Sequence, residues 1–127
     1  MVALLQKEDG AEIVKGLYTK AVADEIALKM NRLNLLEVYY GCLREYGKEK
    51  TDELFKKITE SPIQVISEFS DAVFEEAGRL KATYRISLAD SVALAEACVH
   101  NGTLVTSDHH EFDVIEQNES IHFLWIR

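Results

Sequence analysis

With 127 residues, 47% of them hydrophobic and 28% charged, the chain is a single domain's worth, 1–127, with enough apolar material for one core. One proline and six glycines leave no room for a disordered linker. No apolar run reaches the roughly 18 residues of a membrane span, and no basic leader precedes a long apolar stretch, so the protein is expected in the cytoplasm. A net charge of −8 excludes a protein that holds nucleic acid with its whole surface, because phosphate binding needs clustered Lys and Arg. It leaves open a nuclease whose acidic pocket is neutralised by divalent cations, and it suits a basic partner protein.

Along the chain, apolar positions alternate between period four and short continuous runs, the mark of alternating helices and strands. Met1 to Leu5 is apolar and is broken by Gln6-Lys7-Glu8-Asp9-Gly10. Ile13, Leu17 and Ala21, with Val14 and Tyr18, make one face of a helix, and Ile26 to Met30 reads as the first strand. Leu36, Tyr40 and Leu43 predict a helix that Gly47 ends. Leu54, Phe55 and Ile58 predict another, stopped by Ser61-Pro62. Ile63 to Ile66 is a short strand. Val73, Ala77, Leu80 and Tyr84 form the cleanest amphipathic helix. Ser87 opens a nearly all-apolar helix through Val99, closed by Asn101-Gly102 and expected to be buried. Thr103 to Thr106 and Ile121 to Ile126 are the remaining strands. Strands separated by helices imply a parallel sheet covered on both faces. Cys42 and Cys98 fall inside the apolar helical patterns and read as buried free thiols.

In such a sheet, ligand sites form beyond the C-terminal strand ends. Three carboxylates sit there: Glu37 at the beginning of the helix after strand 26–30, Asp90 in the first turn of the apolar helix, and Asp108 directly after strand 103–106. Each has a plain structural reading as well. Ser87-Leu88-Ala89-Asp90 matches a capping box, Asp108 suits the cap of a short helix through Glu116, and Glu37 suits a helix dipole. Were all three to converge, their repulsion would require a cation, and an oxygen-only donor set suits Mg²⁺ or Mn²⁺. Glu111 and Asp113 read either as further support for that metal or as solvated acids. His109-His110 lacks the partners of a tetrahedral zinc site and reads as a pair of exposed loop histidines.

Asn34-Leu35-Leu36-Glu37-Val38-Tyr39-Tyr40-Gly41, Ile86-Ser87-Leu88-Ala89-Asp90-Ser91 and Thr103-Leu104-Val105-Thr106-Ser107-Asp108, followed by Phe112, together resemble a PIN domain of the VapC toxin group in order and spacing. The resemblance covers essentially the whole chain. It implies an α/β fold, a PIN-like three-layer sandwich with a mostly parallel sheet flanked by helices. It further implies a Mg²⁺- or Mn²⁺-dependent endoribonuclease that cleaves RNA, is held by a cognate antitoxin protein, and forms a homodimer. By position, Glu37, Asp90 and Asp108 would be catalytic and metal-binding. Asp113 would supply an additional metal ligand, and Thr106 and Ser107 would line the substrate rim. Asn34 and Arg85 flank the motifs without an assigned role. The departure lies at the start: Met1 to Leu5 resembles the inside of the family's first helix, and Glu8 to Glu12 the turn after it. The first central strand and its Asp would then be missing, leaving fewer carboxylates and a weak hold on metal.

A second expectation, from another functional class, is a non-catalytic PIN-like module that captures an antitoxin or another PIN protomer. An aspartate-phosphorylated signalling domain would need a late Lys, and none follows Lys81.

Overall fold

The computed structural model describes residues 11–106 and 109–126. The apolar run 1–5, the turn at 8–10, Ser107 and Asp108 lie outside the described residues. Two compact units divide the chain, 1–66 and 67–127.

In the first unit, helix α1 (Ala11–Val22) is followed by strand β1 (Leu28–Asn31), helix α2 (Arg32–Glu60) and strand β2 (Ile63–Ile66). Val14 is the buried residue of α1, with Leu17, Tyr18 and Ala21 half-buried beside it, while Ile13 faces solvent. The helix ends in a Schellman turn. Asp24 adopts φ 60°, its N–H bonds to Ala21 O at 3.1 Å, and Glu25 N–H bonds to Lys20 O at 2.9 Å. Asp tolerates this left-handed geometry better than most residues with a Cβ.

Asn31 ends β1 and caps α2, its side-chain oxygen accepting from Leu33 N–H at 2.9 Å. The two expected helices here form one element interrupted at Gly47, whose φ of 80° and ψ of 175° are open to glycine and to few others. Gly47 thus breaks the helix as its sequence suggests, and a second helical run restarts at once. Cys42, Thr51, Leu54 and Ile58 are the buried side chains of α2. β1 and β2 pair in parallel, Leu28 opposite Ile63 and Asn31 opposite Ile66, with α2 as the crossover that parallel strands require.

The second unit runs from helix α3 (Asp71–Thr83) through helix α4 (Leu88–Val99), strand β3 (Thr103–Thr106) and helix α5 (His109–Asn118) to strand β4 (His122–Trp125). Ser70 and Ser87 cap α3 and α4, accepting from Val73 N–H and Asp90 N–H. α3 packs on α4, burying Val73, Ala77 and Leu80 from one and Ala89, Val92, Leu94 and Ala95 from the other. The apolar character of α4 is explained by that burial. Its end repeats the Schellman geometry, with Asn101 at φ 52° and Gly102 N–H on Ala97 O at 2.8 Å. β3 and β4 pair in parallel, Thr103 opposite His122 and Thr106 opposite Trp125.

Two expectations are corrected. Cys98, read as buried, is exposed near the end of α4, whereas Cys42 is buried. His109, read as a loop residue, belongs to the first turn of α5.

Candidate active site

Glu37 lies in the second turn of α2, because Asn31 caps the helix and Arg32 opens it. The dipole reading of Glu37 therefore loses its basis, since that attraction falls off within the first turn. The side chain is half-buried and has no hydrogen bond or ion pair among the described residues. A half-buried carboxylate without a protein cation is costly unless water or a ligand meets it.

Asp90 lies in the first turn of α4 and is also half-buried. Its backbone N–H donates to Ser87 Oγ at 3.0 Å, which is one half of the capping box. The cap fixes the backbone that carries the carboxylate, so the structural and functional readings of this segment are compatible.

Thr106 is the last residue of β3, and its carbonyl accepts from Ile126 N–H at 3.0 Å. Asp113 sits on the exposed side of α5, with Oδ1 3.0 Å from His109 Nδ1. Among the described residues, no group of three His, Cys, Asp or Glu side chains is gathered for a metal. Asp108 lies outside those residues.

Thiol chemistry is disfavoured. Burial pushes the Cys42 thiol up, with the Glu45 carboxylate adding to it. Desolvation of the sulfur, followed by the Glu76 carboxylate, raises Cys98 in the same direction. Both sulfurs are held protonated, and the thiolate is the nucleophile.

Two arrangements escaped the sequence reading. Arg79 bridges Glu76 and Glu119, its Nη2 2.7 Å from Glu119 Oε1, and Tyr84 Oη donates to Glu119 at 2.6 Å. Arg79, with help from Tyr84, holds the Glu119 carboxyl below its ordinary value. This network braces α3 against the segment after α5. The second is an aromatic column in which Trp125 stacks on Phe123 and on His109. The i, i+2 spacing of Phe123 and Trp125 on β4 was the available signal. Nothing local indicated the His109 contact.

Short parallel strands joined by helices define a class of α/β domain. A family model described as "PIN domain" matches residues 1–117. The chain belongs to the PIN-domain family. A solved structure described as a toxin-antitoxin complex from Klebsiella pneumoniae is similar in fold, with a TM-score of 0.51. It is 19% identical over 82% of this chain and 87% of that one. No curated protein matches the sequence significantly.

Proposed function

We propose that this PIN-family chain is a divalent-metal-dependent endoribonuclease of the VapC toxin type, acting in the cytoplasm and controlled by a cognate antitoxin. The family match carries the reading, because it spans the segments bearing Glu37, Asp90 and Asp108. Glu37 is half-buried and has no hydrogen bond or ion pair among the described residues, which adds support. The similarity in fold to a component of a toxin-antitoxin complex motivates the antitoxin.

Glu37, Asp90 and Asp108 are proposed as the catalytic, metal-binding carboxylates, with Asp113 as a further oxygen donor. An oxygen-only set fits Mg²⁺ or Mn²⁺. Bound there, such a cation supplies Lewis-acid stabilisation and a more acidic water. The chain's carboxylates orient it, and the Thr106 and Ser107 hydroxyls donate to phosphate oxygens of the RNA. Exposed Leu36 and Tyr40, one turn apart on α2, give two copies apolar surface for a homodimer. A strictly monomeric mass by light scattering would remove the dimer.

The test is cleavage of end-labelled RNA by the purified chain. Mg²⁺ or Mn²⁺ should support cleavage and EDTA abolish it, while Asp90→Asn and Glu37→Gln each lower the rate at least about 100-fold. Equal cleavage in EDTA, or by Asp90→Asn, overturns the assignment. The second reading is a non-catalytic module that captures an antitoxin or another PIN protomer, which the similarity in fold to a component of a toxin-antitoxin complex supports equally. Tight antitoxin binding by a chain inert toward RNA would select it.

A further inference from the structure

Glu37, Gly41 and Arg44 lie at i, i+4 and i+7 on α2, so they follow one another along one face of the helix before its break at Gly47. At helical rise, Arg44 stands roughly 10 Å along the axis from Glu37. Arg44 is exposed, and its guanidinium carbon sits over the Tyr40 ring, 5.4 Å from the centroid. Such a contact uses the face of the guanidinium. The N–H donors on its rim have no hydrogen bond or ion pair among the described residues. Lys48, the next cation on α2, is taken up by Asp52 at 2.6 Å. Gly41, between Glu37 and Arg44, is exposed, and a Cβ built there would meet nothing within 4 Å. No neighbour in the fold therefore demands glycine here, although glycine weakens a helix interior relative to alanine. A ligand backbone that comes close to the helix does demand it.

A surface cation–π pair one turn apart explains where the guanidinium is held and leaves its rim unused. That planar fork of donors matches the paired oxygens of a phosphate. We propose that Arg44, held over Tyr40 and reached across Gly41, is a phosphate clamp for the RNA strand whose scissile phosphate lies at Glu37. The inference rests on the ribonuclease reading above, which puts the cation and the scissile phosphate at Glu37. A strand cut there passes over Gly41 and gives Arg44 the phosphate of a nearby nucleotide. Tyr40 is a positioning residue, because it fixes the guanidinium before RNA arrives and so lowers the ordering cost of the contact. A protein carboxylate offers the same paired oxygens, but it is a single group. The run from Glu37 across Gly41 to Arg44 fits a chain that carries phosphates at regular intervals.

The test is fluorescence anisotropy of end-labelled single-stranded RNA of mixed sequence, titrated with the full chain under two non-cleaving conditions: Asp90→Asn with Mg²⁺, and the unaltered chain with Ca²⁺. Saturable binding is expected in both. Adding Arg44→Ala should weaken it about ten-fold, the order of one charge-assisted hydrogen bond, and make the log–log salt slope shallower by about 0.7. Arg44→Lys keeps the charge and should keep the slope. Gly41→Ala should raise the melting temperature and yet weaken binding several-fold, a combination that damage to the fold does not give. In the cleavage assay Arg44→Ala should raise KM by about the same factor as in binding and leave kcat nearly unchanged. Unaltered affinity and slope in Arg44→Ala overturn the clamp, and so does an equal loss in Lys57→Ala, an exposed cation in the last turn of α2. Equal displacement of the RNA by polyglutamate at matched charge overturns it, as does a loss of binding that accompanies a changed mass in light scattering. No RNA binding under either condition overturns it too. Cleavage with a KM indifferent to Arg44 sinks the clamp and leaves the nuclease reading standing. RNA binding with the expected Arg44 pattern but no cleavage under any metal supports the clamp and sinks only the nuclease reading.

Discussion

Thr51 and Glu119 show how single residues in this fold depart from their surroundings. Thr51 is fully buried in α2, and its hydroxyl has no hydrogen-bond partner among the described residues. A helical threonine ordinarily donates to the carbonyl four residues back, which here belongs to Gly47, where the helix breaks. A buried unpaired hydroxyl costs roughly 1–3 kcal/mol, so Thr51→Val, equal in shape, should stabilise the chain by about 1 kcal/mol. Urea denaturation checks this, and a lower midpoint for the valine variant would show that the hydroxyl has a partner. Glu119 behaves oppositely. Its carboxyl is held low, first by Arg79 and then by Tyr84, so the ionised form is favoured by folding. A carboxyl lowered on folding contributes its full stability above the unfolded value of about 4.3, and loses it as pH falls through the folded value. Melting temperature should therefore drop below about pH 4.5, and Glu119→Gln should flatten that part of the curve. An unchanged acid limb would assign the loss to other carboxylates. Arg79 is half-exposed, so solvent screening keeps the effect small.

The elements follow their local chemistry closely. β2 at 63–66 and β3 at 103–106 have the bounds that the apolar runs predict, and Ser87 and Asn101 delimit α4 as their side chains favour. α2 is less legible. The helical period of Leu36, Tyr40 and Leu43 begins four residues after the true start at Arg32, because the first turn is stabilised by Asn31 as cap and not by an apolar stripe. Gly47 tests the element most sharply. At φ 80° a Cβ is strained even though nothing lies within 4 Å of it, so Gly47→Ala should cost about 1–3 kcal/mol. Gly78, inside α3 with equally open surroundings, should gain about 0.5–1 kcal/mol as alanine. Denaturant midpoints moving in the same direction for both would place Gly47 in an ordinary helical conformation.

At the scale of the molecule, charge is unevenly divided along the chain. Residues 67–127 hold eleven acidic and four basic residues, and so carry seven of the eight net negative charges. Such a surface neutralises few phosphates, so RNA affinity should fall only gently with salt, with a log–log slope shallower than about −3. A steep slope, measured by titration from low to physiological salt, would mean that a basic groove does the binding. Element order and the cap of α4 at Ser87 were set by the sequence alone, because each depends on residues within a turn or two of one another. The exposure of Cys98, the Arg79–Glu119–Tyr84 bridge and the stacking of His109 on Trp125 were decided only by tertiary structure. The partners in the two contacts come from different elements, and periodicity has no reach beyond its own. Cys98 has the apolar spacing of a core residue, but which side of α4 is covered depends on where α3 packs.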